Sequence, residues 1–505
     1  MFTRIKTAAN IGLNCELVEV EADMAPRDKR DFVIVGLPDA AVVEAKERVK
    51  FAIKNSELEF PKYKVTVNLA PADLRKTGPG FDLAIAVCLL KTSGQIAMDL
   101  DDFLFVGELA LDGSVRHTNG ILPITIFAKE KGIKNLFIPE ANKKEASLIS
   151  GVNIFPVKNL SEVIEHLEGR GQVKRIKQTE DLTKIDSELE LDMSHVMGQE
   201  QAKRALEIAA SGGHNVLLSG PPGSGKTLLA KTMQSILPRL TEEEILEVTK
   251  IYSIAGLLPK DFPIINYRPF RSPHHTSSGV SLVGGGNMPK PGEISLSHRG
   301  ILFLDEFAEF PRQVLENLRQ PLEDGMISIS RAQGTLTFPA SFTLIASQNP
   351  CPCGYASDPD KDCLCSPLQV MNYNKKISGP ILDRIDLFVE VPRVKFEKLQ
   401  QKSSDNESSE TIQDRVNEAR IIQTKRFEET RTKTNSEMSS NEIKLFCSLN
   451  EESQKLVKSA VTQLHLSARS FHRILKVART IADLESEENI RTSHVAEALQ
   501  YRNKV

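Results

Sequence analysis

The chain has 505 residues, 26% of them charged, with a formal net charge of −3. That balance excludes a globally basic nucleic-acid binder, so any such contact must come from local patches or an assembled pore. Seven cysteines, an odd and low count, argue against a disulfide framework and for metal or free-thiol roles. At roughly 100–200 residues per domain, about three domains are expected.

The opening segment MFTRIKTAANIGLNCELVEVEAD has basic residues but no long apolar core before acids appear, so no secretory signal is expected. Apolar runs such as Leu83–Leu90 are too short to span a bilayer, and a cytoplasmic chain without membrane contact is expected. KVTVNLA (Lys64–Ala70) alternates and is β-branched, which predicts a strand. Phe81–Leu90 predicts an apolar helix. FLFVGELALDG, from Phe103, predicts a hairpin arm turning at Asp112-Gly113. A helix over Ile121–Lys131, a strand over Asn135–Glu140 and a helix over Ser161–Leu167 complete a first domain over 1–168. Residues 169–190 are charge-rich and predict a linker.

From 191 to 397 the pattern becomes strand–loop–helix. HNVLLSG runs as a strand into Gly220-Pro221-Pro222-Gly223-Ser224-Gly225-Lys226-Thr227, and TLLAKTMQSIL follows as a helix. This is G-x-x-x-x-G-K-[ST] in its required context. Glycines let backbone N–H groups curl around phosphate oxygens, and the helix N-terminus adds partial positive charge. Lys226 is then expected at the β- and γ-phosphates of ATP, and Thr227 at Mg²⁺. A chance glycine-rich turn is the alternative.

ILFLDE (Ile301–Glu306) predicts a buried strand delivering Asp305 and Glu306 to the edge where open α/β sheets bind ligands. Asp305 is expected to hold Mg²⁺ and Glu306 to polarise the attacking water; solvated strand-end acids are the alternative. Asn349 ends the next strand, FTLIASQN, as a water-positioning amide or as a turn residue before Pro350. Arg384, in SGPILDRIDLFVE, is either a finger for a neighbouring subunit's γ-phosphate or a salt-bridged surface arginine. Arg469 is a nucleotide sensor candidate in the C-terminal helices, with Arg473, one turn later, as its competitor.

Cys351, Cys353, Cys363 and Cys365 form C-x-C, nine residues, C-x-C, which suits tetrahedral Zn²⁺ in a closed, structural site. Four unligated thiols or a redox pair are the alternatives. Cys15, Cys88 and Cys447 are expected as buried hydrophobes. Candidate DNA contacts are Arg268, Arg271, His274, His275 and Lys290 in the long insertion, and Arg331 near the tip of a hairpin over Met326–Phe338. Such phosphate contacts would be sequence-independent and salt-sensitive; packing of the insertion or subunit contacts is the alternative. Residues 398–440 predict a linker and a long polar helix, and 441–505 a small helical bundle.

Together these residues resemble the AAA+ superfamily: a Walker A loop, a Walker B strand, sensor 1 at Asn349, an arginine finger at Arg384 and sensor 2 at Arg469. RPFRSPHHTSSGVSLVGGG (Arg268–Gly286), EISLSHRGILFLDE (Glu293–Glu306), QPLEDG (Gln320–Gly325), SQNPCPCG (Ser347–Gly354) and SGPILDRID (Ser378–Asp386) resemble the magnesium-chelatase-like ATPases of the ComM/YifB family. The resemblance implies an α/β P-loop AAA+ module with a parallel sheet and a C-terminal helical lid. It also implies self-association into a hexameric ring and an ATP-driven motor on single-stranded or branched DNA that promotes branch migration. A chelatase-type or protein-remodelling ATPase acting on a partner protein is the alternative. True chelatases need a partner with a metal-ion-dependent adhesion domain, and this chain shows no D-x-S-x-S segment.

Residues 1–168 resemble the Lon-protease-like α+β domain. RKTGPGFDLAIAV (Arg75–Val87) is similar to the loop of the nucleophilic serine, with Gly80 at its position. GELALDGSVRHTNGILPITIFAKEKGIKNLFIPE (Gly107–Glu140) is similar to the segment of the catalytic lysine, with Leu122 at its position. Neither hydroxyl nor amine is available for a Ser–Lys dyad. A binding or assembly role is expected, with the Lys76–Gly80 loop as either a phosphate contact or a tight turn.

Overall fold

The computed structural model describes residues 2–25, 31–177, 191–259, 263–286, 289–331, 334–358, 360–394, 406–463 and 466–502. The chain forms two compact units. One holds residues 1–185, 242–266 and 286–290; the other holds 186–241, 267–285 and 291–505.

The first unit is built on a seven-stranded mixed sheet in the order Phe32–Val35, Lys64–Ala70, Asn14–Ala25, Phe2–Ile11, Phe103–Phe105, Asn135–Pro139, Asn153–Val157. The Lys64–Ala70 strand lies at its predicted place. The two longest strands, Phe2–Ile11 and Asn14–Ala25, form an antiparallel hairpin around Gly12 that the sequence reading did not propose. Its signal is the alternation that buries Val18, Val20 and Ala22 against outward acids. Phe103–Phe105 joins the parallel part of the sheet, so only Glu108–Leu109 and Val115–Arg116 make the expected hairpin around Asp112-Gly113.

Behind this sheet lies the Asp82–Thr92 helix. Every residue but Lys91 is buried, as an apolar surface all round the helix requires. Its first residue, Asp82, is buried and takes two hydrogen bonds from Arg48, at 2.7 and 3.0 Å. Lys76 is also buried, its ammonium turned onto the carbonyl of Pro71. That corrects the phosphate-contact reading of the Lys76–Gly80 loop: its lysine faces the interior. Leu122 is fully buried, and its N–H donates to Glu145 at 2.8 Å.

The domain boundaries differ from the expected ones in two places. Residues 171–177 stay with the first unit, where Ile176 N–H donates to the Ile154 carbonyl; 178–190 lie outside the described residues. The Glu242–Ala255 helix, expected inside the ATPase core, packs with the first unit, and Ser253 donates to the buried Glu145 at 2.5 Å.

The second unit carries a five-stranded parallel sheet. Its order is Phe270–Arg271, Ile301–Leu304, Thr343–Gln348, Val216–Ser219, Leu387–Glu390. The first strand in the chain, Val216–Ser219, thus lies between the fourth and the fifth. Order reverses there, and that is where such sheets leave a ligand crevice at the strands' carboxyl ends. The register sets Ser219 level with Gln348, which brings Gly220 beside Asn349. The helices Ser409–Arg426, Ser440–Phe446, Glu451–Gln463, Ala468–Leu484 and Thr492–Gln500 follow. They are not a separate domain: Ile474, Ala478 and Ile481 share one core with Ala205, Leu206 and Val216. The segment 395–405, part of the expected linker, lies outside the described residues.

Candidate nucleotide site

The loop Gly220–Thr227 joins the Val216–Ser219 strand to the Lys226–Ile236 helix, in the predicted order. Two glycines, Gly223 at φ +76° and Gly225 at φ +90°, adopt the left-handed backbone that a side chain would strain. Gly220 is needed for space, since a Cβ there would stand 2.1 Å from the Val391 carbonyl oxygen. The helix begins with no side-chain cap at Gly225, so its first N–H groups are left for a ligand.

The charged groups converge on this loop. Lys226 is buried and donates to the carbonyls of Gly220 at 2.7 Å and Pro221 at 3.0 Å, and to Asn349 Oδ1 at 3.4 Å. Burial pushes its pKa below the usual lysine value, while Asp305 and Glu306 draw it back up. Thr227 donates to Asp305 at 3.0 Å. Asp305 also accepts from the Ser347 hydroxyl, and from the Glu306 N–H at 3.0 Å, so its carboxylate is fixed from three sides. Ser224 Oγ is buried without a partner. An orphaned hydroxyl, an uncapped helix start and a buried ammonium with only neutral donors of electron density around it fit a phosphate chain. Thr227 and Asp305 supply the oxygen ligands that suit Mg²⁺.

Glu306 follows the strand at φ +51°, a left-handed conformation rare for a residue with a side chain. Its carboxylate is exposed and lies 3.3 Å from His275 Nδ1. Sequence reasoning placed His275 among DNA contacts and missed this pairing, because the insertion's return to the Walker B strand has no local signal. The His274 ring lies against His275, tilted by 34° with ring centres 4.1 Å apart.

The other DNA candidates are placed as follows. Arg268 donates to the carbonyls of Pro238 at 2.5 Å and Arg299 at 2.7 Å, a structural corner of the insertion. Arg271 makes a two-pronged pair with Glu293 at 2.6 and 2.7 Å. Both guanidinium groups are thus engaged within the chain. Lys290 is exposed. Arg331 ends the first strand of the Met326–Arg331/Gly334–Pro339 hairpin, and its side chain lies outside the described residues.

Arg384 pairs with Glu323 at 2.5 Å and donates to the Pro380 carbonyl at 2.6 Å. Arg469 is exposed and lies 4.0 Å from Asp383, and Arg473 reaches the same carboxylate at 3.5 Å. Arg473 also caps the carbonyls of Leu382 and Ile385. The structure therefore gathers Arg384, Arg469 and Arg473 around residues 380–385, and their partners are not residues of Gly220–Thr227.

The four cysteine sulfurs lie within 4.8 Å of one another. The Tyr355 N–H and the Cys351 thiol hold the Cys353 thiol down to about 6, while the Cys363 thiol, against the Cys365 N–H that favours its ionisation, is pushed up to about 12 by desolvation and the Cys353 and Cys351 sulfurs. Cys15, Cys88 and Cys447 are not part of this cluster; burial pushes each up to about 12. Among the described residues no helix is long and apolar enough to cross a membrane.

Three family descriptions match successive parts of the chain. "Subunit ChlI of Mg-chelatase" matches residues 20–142, "Magnesium chelatase, subunit ChlI" 192–399, and "Magnesium chelatase, subunit ChlI C-terminal" 406–502. The chain is similar to the competence protein ComM of Haemophilus influenzae, 42% identical over 99% of this chain and 97% of that protein. It is similar to YifB of Escherichia coli at 42% over 99% of this chain and 96% of the relative. A weaker, partial likeness is to a Lon protease of Mycoplasmopsis agalactiae, 29% identical over 23% of this chain and 12% of that protein. The phosphate loop, the acid pair that follows the Ile301–Leu304 strand and the end-to-end match to these relatives lead to one assignment: the chain belongs to the ComM/YifB family of magnesium-chelatase-like AAA+ proteins.

Proposed function

We propose that this chain is an ATP-hydrolysing, DNA-remodelling motor, working as a ring of copies that is expected to be hexameric and promoting branch migration during recombination or natural transformation. The observation that carries the reading is the full-length similarity to a competence protein, joined to the convergence of Lys226, Thr227, Asp305 and Asn349 on one loop. Mg²⁺, when bound with ATP, neutralises charge on the β- and γ-phosphates. Lys226 binds and orients the phosphates. Thr227 and Asp305 hold the metal. Glu306 takes a proton from the attacking water, and Asn349 orients that water. Arg384 acts on a neighbouring copy's nucleotide, which requires it to leave Glu323.

The test is the ATPase rate with and without single-stranded, duplex and forked DNA, followed by branch migration on synthetic junctions. Stimulation by branched or single-stranded DNA is expected, with Glu306→Gln binding ATP but not turning it over. Normal basal hydrolysis with no response to any DNA would sink the motor reading. That outcome would favour a chelatase-type ATPase acting on a partner protein, which the family description supports.

A further inference from the structure

The cysteine cluster has the geometry of a single-ion site. Cys351–Cys353, Cys353–Cys363 and Cys351–Cys363 sulfur distances are 3.3, 3.6 and 3.7 Å. A tetrahedral ion bound at about 2.3 Å to each thiolate separates its sulfurs by roughly 3.8 Å. A redox pair would bring two sulfurs together and leave two aside, whereas here three are nearly equidistant and the fourth lies within the same 4.8 Å limit. A multi-iron cluster holds its thiolates further apart than one ion does. The Ala356 N–H points at Cys351 Sγ at 3.3 Å, the kind of outer contact that steadies a thiolate ligand. Four sulfur ligands with no open position fit a structural Zn²⁺.

The surroundings of the cluster are as telling as its sulfurs. Gly354, between the second and third ligands, has φ +85°, and a Cβ there would stand 2.7 Å from Cδ of Pro222 and 3.8 Å from Cγ of Asn349. The turn made by the first cysteine pair is therefore pressed against the phosphate loop on one side and the Lys226-bound amide on the other. Asp358, in the next turn between the two cysteine pairs, pairs with Arg393 at 3.0 Å, and the adjacent Pro392 carbonyl accepts from Gln199 at 2.6 Å. Gln199 also donates to the carbonyl of Ser224, at 3.3 Å. One direct contact, Gly354 on Pro222, and one relay through Arg393, Pro392 and Gln199 thus run from the segment of the cysteines to Gly220–Thr227.

We propose that Cys351, Cys353, Cys363 and Cys365 bind one Zn²⁺, releasing their thiol protons, and that this ion fixes the Gly354 turn against Pro222 so that its occupancy sets nucleotide affinity. The second half rests on the reading of Gly220–Thr227 as the nucleotide loop. The metal is structural: it touches neither nucleotide nor water.

The experiment uses the full-length chain. Zinc is counted by elemental analysis as purified, after removal with a strong chelator, and after return of Zn²⁺. In each state the affinity for a fluorescent ATP analogue is measured. The expected result is about one Zn²⁺ per chain, as four thiolates per ion require. Affinity should weaken roughly tenfold on removal, within the usual range for coupled sites, and recover on return. The double variant Cys363→Ser/Cys365→Ser should lose the zinc. Should that variant misfold, Co²⁺ added to the metal-free wild-type chain should give the thiolate-to-cobalt charge-transfer band of a tetrahedral site. Absence of zinc together with absence of that band would overturn the metal site. A full complement of zinc with unchanged nucleotide affinity after its removal would overturn the coupling. A zinc-loaded chain that binds no nucleotide would overturn the nucleotide reading and the coupling with it, and the zinc count would distinguish that failure from the loss of the metal site.

Discussion

Lys226 is an ammonium buried among carbonyl and amide oxygens, with no carboxylate directly on it. A phosphate chain would supply the missing negative charge in a partly desolvated setting, where charge-assisted hydrogen bonds are strongest. Lys226→Ala should therefore weaken ATP binding by about 100-fold or more, equivalent to roughly 2.7 kcal/mol. Titration with a fluorescent analogue checks this, and retained affinity would remove the lysine from the site. His275 and Glu306 make a different kind of pair, a partly buried imidazole 3.3 Å from an exposed carboxylate. Under the proposed mechanism the imidazole would restrain the carboxylate needed at the water. His275→Ala should raise basal hydrolysis by up to about fivefold, the limit for an exposed pair of about 1 kcal/mol, without changing nucleotide affinity. An unchanged basal rate would show that the pair does not restrain Glu306.

Among the elements, the phosphate loop and the Asp82–Thr92 helix depend on different physics. The loop depends on missing atoms. Gly220→Ala would push a methyl group into the Val391 carbonyl, and relieving it moves the loop or the strand behind it. The expected result is loss of nucleotide binding with a drop of about 1–3 kcal/mol in stability, as overpacking usually costs, so thermal unfolding and ligand titration together test it. The helix depends on a buried pair. Asp82→Ala would take the two-pronged partner from the Arg48 guanidinium and leave it the Ala41 carbonyl and Glu44, at 3.9 Å, at a cost of about 2 kcal/mol. Faster hydrogen exchange over Asp82–Thr92, with a lower unfolding midpoint, is expected. Sequence patterning was sufficient for both elements: the glycine spacing marked the loop, and the unbroken apolar run marked the helix. It did not reveal the Phe2–Ile11/Asn14–Ala25 hairpin, whose first strand lacks clean alternation and whose turn carries only a single glycine.

At the scale of the whole molecule, the ring proposal turns on where the arginines lie. Arg384 is paired with Glu323, and Arg469 and Arg473 both reach Asp383 from the Ala468–Leu484 helix, so all three cations gather around residues 380–385 of the second unit. Under the ring proposal, that stretch faces a neighbour's nucleotide. Arg384→Ala should then leave ATP binding intact while lowering turnover by about 10³-fold or more, the range for a finger arginine. The loss should show only at protein concentrations where copies associate. Turnover measured against protein concentration, beside sedimentation, checks it; normal turnover would place the finger elsewhere. The Glu242–Ala255 helix, inserted between the two Walker elements in the chain, belongs to the first unit by packing. No linear pattern announces that, because its apolar face is the same whichever unit buries it.

The sequence by itself determined the order of strand, phosphate loop and helix, the acids at the end of the Ile301–Leu304 strand, and the four cysteines as a set. Each of these is local: a glycine where the backbone must turn left-handed, an apolar run ending in a carboxylate, paired thiols at short spacing. Only the tertiary structure decided which groups meet. It joined His275 to Glu306, Gly354 to Pro222 and Arg268 to the carbonyls of its own corner, and it turned Lys76 inward. Those contacts bring together residues on different elements, and their side chains carry no mark of partner. The register of a parallel sheet and the close packing of loops at its carboxyl edge choose among them, and neither can be read from a single chain's spacing.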